Sequence, residues 1–137
     1  MTTINATKGE FVNLINGLFQ VQELKGKKFG LIVNKNITIL REELKNLEEF
    51  GKPSEEFMKL AMEVNKISNE NPENAKEKID KLEKENEELV AARRKQMEDV
   101  TEKMKEEMTI KLNTISESNL PNDISAQQIS NIEKIIK

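Results

Sequence analysis

A chain of 137 residues is the size of one domain, and with 36% hydrophobic and 34% charged residues, phenylalanine its only aromatic, it is too apolar for outright disorder and too lean for a thick globular core. It has no cysteine, which excludes a disulfide framework and thiol chemistry, and no histidine, which removes the commonest general base and zinc ligand. The formal net charge of −3 is unevenly spread: residues 25–41 hold Lys25, Lys27, Lys28, Lys35 and Arg41 and no acidic side chain, whereas residues 42–107 hold 13 basic against 20 acidic ones.

Helices that bury one stripe need the fewest apolar residues, so this composition points to a mainly α chain built from a helical hairpin and coiled coil. The N-terminal MTTINATKGE lacks the basic and then apolar layout of a signal peptide, and no apolar run reaches membrane-spanning length. A cytoplasmic protein with no membrane partner is expected.

A first helix should begin at Thr7, because Thr7 and Glu10 have capping-box spacing. Phe11, Leu14, Ile15 and Leu18 follow on one face, and Gly26 is suited to end the helix. From Phe29, the set Val33, Ile37, Leu40, Leu44 and Leu47 predicts a second helix to Phe50 that stops at Gly51 and folds back on the first. Lys52-Pro53-Ser54 opens a third, with Phe57, Leu60, Ala61, Val64 and Ile67 as its stripe.

Glu73 to about Glu107 contains neither glycine nor proline and predicts one long helix of about 50 Å. Ala75, Ile79, Leu82 and Leu89 lie at a/d spacing, with Asn86 at an a-type position suited to fixing register. This 75–89 seam is the expected self-association surface, since one short neighbour cannot bury all of it. Met108 to Ile115 alternates as a strand does and also extends a helical stripe; its β-branched residues favour the extended form, a short strand near 108–115. Ser125 and Gln128 form a second capping box, Ile124 is placed to staple onto Ile129, and Ile129, Ile132, Ile135 and Ile136 give an apolar edge. A helix this short is marginal alone, so it should dock on this chain, a second copy or a partner. The expected segments are therefore 1–70, 71–107 and 108–137.

No motif carries catalysis. GKKFG at Gly26–Gly30 has three residues between its glycines where a phosphate-binding loop needs four, and leucine follows where that loop needs lysine and then serine or threonine. Adjacent carboxylates such as Glu42–Glu43 and Glu87–Glu88 diverge by about 100° on a helix and do not face one another. The basic patch of Lys25, Lys27, Lys28, Lys35 and Arg41 supports weak nucleic-acid binding, opposed by the acidic middle. The run AARRKQ reads as i±4 pairing with nearby carboxylates or as a docking point for an acidic partner. Met58, Met62, Met97, Met104 and Met108 read as core or as an adaptable binding surface.

LKGKKFG after a short first helix, the charged helical middle, and LPNDIS before an isoleucine-bearing helix together resemble small, poorly characterised helical proteins of tailed bacteriophages. That resemblance implies a phage origin, in the host cytoplasm or the virion, and no catalytic residues. The expected function is non-enzymatic: protein–protein contact as an accessory assembly component or oligomeric adaptor, without cofactor or metal. The alternatives are an inhibitor of a host enzyme or anti-phage defence complex and, third, a weak nucleic-acid-binding regulator. The residues expected to bind a protein partner are Ile79, Leu82, Asn86, Leu89, Ile129, Ile132 and Ile136.

Overall fold

Thr7 turns the chain from strand into helix. In a computed structural model describing residues 1–137, β1 (Thr2–Thr7) runs into α1 (Lys8–Val21), and the Thr7 hydroxyl accepts the free Glu10 N–H at 3.1 Å as the helix cap. The chain is mainly helical: α2 (Lys27–Gly51), α3 (Glu55–Glu70), α4 (Ala75–Glu85), α5 (Glu87–Met104), then β2 (Glu107–Leu112) and α6 (Ala126–Ile132). The two strands form an antiparallel sheet in which Ile4 faces Ile110 and Thr7 faces Glu107. No helix is long and apolar enough to cross a membrane.

Contacts divide the chain into two compact units, Met1–Glu48 with Glu102–Lys137, and Glu49–Thr101. The first departs from the expected division into 1–70, 71–107 and 108–137, because N- and C-terminal segments share one core. Phe11, Leu14, Leu18 and Val21 of α1 and Phe29, Val33 and Leu40 of α2 join Leu112, Ile115, Ile132 and Ile135 there, all essentially without exposure. Each large aliphatic chain so buried contributes about 1.5–3 kcal/mol.

The expectation of an extended form at 108–115 holds over Glu107–Leu112, but its partner strand Thr2–Thr7 was not anticipated. Gly26 does not end α1, which stops at Val21. Its φ of +143°, open to glycine alone, turns the chain into α2, where its carbonyl accepts the Gly30 N–H at 2.8 Å. The single long helix expected from Glu73 is broken at Asn86 into α4 and α5.

One polar side chain in this core has no exposure, that of Asn36 in α2. Its Nδ2 donates to the Asn113 carbonyl at 2.9 Å, and its Oδ1 accepts the Asn113 N–H at 2.8 Å. The carboxamide thus bonds the residue after β2 as a neighbouring strand would. Just beyond, the Ile115 N–H donates to the Ile135 carbonyl at 2.7 Å and the Lys137 N–H donates to the Ile115 carbonyl at 2.8 Å, so the C-terminal segment continues the same edge.

The terminal helix starts as its capping box predicts: Ser125 Oγ accepts the Gln128 N–H at 3.1 Å, and Gln128 Oε1 accepts the Ser125 N–H at 3.0 Å. It lies close against α1 at Gly17, where a Cβ would come within 3.0 Å of Asn131 and 3.3 Å of Ile132. Any larger residue there would push the tail away.

Replacing Asn36 by alanine should cost about 2–4 kcal/mol in urea unfolding, because it leaves both backbone groups of the part-buried Asn113 unsatisfied. Two exposed ion pairs set the acid response. Lys134 hydrogen-bonds Glu10 and Lys8 hydrogen-bonds Glu106, and each holds its carboxylate pKa below the ordinary value. A depressed folded-state pKa gives stability that is complete above the ordinary carboxylate range and lost as pH falls through and below it. The melting temperature should therefore drop on acidification, and Lys134→Ala should flatten part of that dependence.

Candidate interaction surfaces

The seam residues lie in the unit Glu49–Thr101. Ser54 caps α3, its hydroxyl accepting the Phe57 N–H at 3.1 Å. The α3 stripe then faces inward only in part: Leu60 is buried, while Phe57, Ala61, Val64 and Ile67 stay half-exposed. Along α4 no residue is buried; Ala75, Ile79 and Leu82 are half-buried, and so is Leu89 in α5.

Asn86 does not occupy a continuous helix. It caps the end of α4, and its Nδ2 donates to the Leu82 carbonyl at 2.9 Å. A short amide that bonds the preceding turn competes with the helical ladder, which accounts for the interruption at this residue.

The basic run AARRKQ also differs from its expected i±4 pairing. Arg93 Nη1 donates to the Gly51 carbonyl at 2.8 Å and to Gln96 Oε1 at 2.9 Å. Gln96 Nε2 donates to the Phe50 and Lys52 carbonyls at 2.8 and 2.7 Å. The last carbonyls of a helix lack intrahelical partners, and these two side chains supply them for α2. The Arg93 guanidinium also lies 5.6 Å from the Phe57 ring centroid. Arg94 and Lys95 remain exposed.

Two grooves open on this unit. One of 860 Å³ has Leu60, Leu89 and Ala92 among its lining, with Glu56, Glu63 and Glu87 also along it. The other, of 460 Å³, is lined by Phe57, Val90, Arg93, Arg94, Met97 and their neighbours. Met58, Met62 and Met97 are exposed by 46, 71 and 43%, and these unbranched thioethers suit a surface that adapts to what it meets.

Within the other unit, Lys27, Lys28 and Lys35 share the outward face of α2 with Leu31, which is 54% exposed. Lys25 lies in the turn before that helix, and Arg41 is set apart, its guanidinium 5.3 Å from the Phe19 ring centroid. The five cations therefore do not form one surface. Ile132 is fully buried, Ile136 is half-buried against the same core, and Ile129 is half-buried. Much of the terminal stripe is thus covered by this chain itself.

Asn36 and the Arg93–Gln96 pair were missed. Asn36 had a readable signal, a polar residue amid Val33, Ile37 and Leu40 on an apolar face; the Arg93–Gln96 contact with residues 50–52 had none. No three acidic side chains converge on a point that could hold a metal ion. No protein-family model, curated protein or solved structure matches the chain.

Arg93→Ala and Gln96→Ala should each destabilise by about 1–2 kcal/mol in urea unfolding, by freeing carbonyls at the end of α2. Arg93→Lys should not restore the loss, because a lysine ammonium cannot reproduce the planar contacts with Gly51, Gln96 and the Phe57 ring.

Proposed function

We propose that this chain is a non-enzymatic protein of phage origin that works by protein–protein contact, as an accessory assembly component or oligomeric adaptor. One observation carries the reading: throughout Glu49–Thr101 the only buried hydrophobic side chains are Leu60 and Val100. The apolar stripes of α3, α4 and α5 are patterned for burial, yet Ile79, Leu82 and Leu89 are only half-buried. A second helical surface would remove that area from solvent at about 25 cal/mol per Å². Self-association through the 75–89 seam, as a coiled coil, is the partner arrangement proposed. The phage origin rests on LKGKKFG, the charged middle and LPNDIS.

The charge of this unit favours the inhibitor reading second. Glu49–Thr101 carries 14 acidic against 10 basic side chains, and Glu83, Glu85, Glu87 and Glu88 are all exposed, as an element that competes with nucleic acid for a basic groove on a host enzyme requires. A nucleic-acid-binding regulator ranks third, because its cations are divided between the α2 face, the preceding turn and the Phe19 contact.

Sedimentation equilibrium should give a dimer or higher species at tens of micromolar, roughly the range of a modest helical seam. Leu82→Asp with Leu89→Asp should abolish the association that runs through the seam, lowering the sedimenting mass at a given concentration, while circular dichroism stays near that of the parent. A parent chain that sediments as monomer across this range removes the adaptor reading and leaves the inhibitor, which binding to host proteins from a lysate would then address.

A further inference from the structure

The two strands differ in how their outer edges are finished. The Lys8 N–H donates to the Glu106 carbonyl at 2.9 Å, and the same register continues through Ala6↔Met108, Ile4↔Ile110 and Thr2↔Leu112. Hydrogen-bonded pairs alternate with non-bonded ones in an antiparallel ladder, so the backbone groups of Thr3, Asn5 and Thr7 point away from β2. By the same alternation Asn113 points away from β1, where Asn36 meets both of its groups. The outer edge of β2 is finished by Asn36 and by the Ile115 bonds to the C-terminal segment, and it carries Glu107 and Lys111.

The outer edge of β1 has none of these devices. Its sequence TTINAT contains no charge and no proline, and Thr7 is occupied by the Glu10 carboxylate. The N–H and C=O groups of Thr3 and Asn5 have no partner in the chain, and such an edge is a template for another strand.

We propose that β1 docks on β1 of a second copy of this chain, antiparallel about a two-fold axis that passes beside Ile4. The register follows from the open groups. Placing Thr3 opposite Asn5 of the second copy, and the reverse, satisfies all four donors and acceptors of the two strands in two hydrogen-bonded pairs. Shifting by one residue either way brings into the ladder Thr7, already engaged, or Met1, which lies outside β1. In the chosen register Ile4 meets Ile4 of the second copy as a non-bonded pair, where side chains stand closest, and each half-buried isoleucine covers the other at the margin of the core. Uncharged Thr3 and Asn5 line the outer face of the junction, so no like charges meet there. The contact is isologous and closes as a pair. It does not rest on the 75–89 seam.

Amide hydrogen exchange on the full chain reads this directly. Between about 10 µM and about 1 mM, the span in which so small a contact forms, exchange of the Asn5 amide should slow about tenfold, while the Ile4 amide, already bonded to Ile110, changes little. Thr3→Pro removes one of the outward donors without touching the bonds to β2 and should abolish the slowing. As a second reading, the chain has no cysteine, and a Cα separation of about 4.5 Å is within disulfide range. Ile4→Cys should therefore oxidise to a cross-linked dimer about tenfold faster than Asn16→Cys on the exposed side of α1, and Leu82→Asp should leave that rate unchanged. Exchange at Asn5 independent of concentration overturns the proposal, whatever the seam does, and so does an Ile4→Cys rate no greater than that of Asn16→Cys.

Discussion

A single buried carboxamide, that of Asn36, holds α2 to the residue that follows β2. A helix has no free backbone groups along its middle with which to finish a sheet edge. Asparagine solves this because its amide carries one donor and one acceptor at nearly the spacing of a peptide group. With Asn113 fixed, β2 has a definite position against α2, β1 has a definite register against β2, and Ile115 is set where the C-terminal segment can bond it. In a low-dielectric setting such a pair is strong when complete and costly when half-made. The polar contact therefore specifies which arrangement of the surrounding apolar residues forms.

The two units divide the chain's physical chemistry between them. Met1–Glu48 with Glu102–Lys137 holds nearly all the buried large aliphatic side chains and both asparagine-mediated edge bonds. Glu49–Thr101 holds its chain together by other means, with the Arg93 and Gln96 side chains satisfying carbonyls and aliphatic residues covering each other in part. A segment with few buried contacts opens locally at low cost, and its surface is the one most readily remodelled by a neighbour. Stability is concentrated in one unit and adaptable apolar surface in the other.

What the sequence reveals follows from the range of the interactions involved. Capping at Thr7, Ser54 and Ser125 is legible because donor and acceptor lie three residues apart. The apolar faces of α1 and α2 are legible from their 3.6-residue period. The pairing of Thr2–Thr7 with Glu107–Leu112 is not, because its information is spread over segments on opposite sides of the helices. The break at Asn86 is an intermediate case: asparagine at an a-type position and asparagine ending a helix are the same letter, and only its bond to Leu82 decides between them. The cations of residues 25–41 look like one cluster in the linear order, yet helical geometry turns Arg41 toward Phe19 and away from Lys28 and Lys35.

The pairing of β1 with β2 also orders events during synthesis. Asn5 and Thr109, whose side chains meet across the sheet, are 104 residues apart. At about 5–20 residues per second, a ribosome takes roughly 5–20 s to make the second after the first. Throughout that interval α1 and α2 can form but their shared core stays open, because Leu112, Ile115, Ile132 and Ile135 do not yet exist. The local helices of Glu49–Thr101 meet no such delay. Translation thus makes one unit early and completes the other only once Ile135 has been added, leaving an uncharged strand waiting in a crowded cell for the segment it was built to meet.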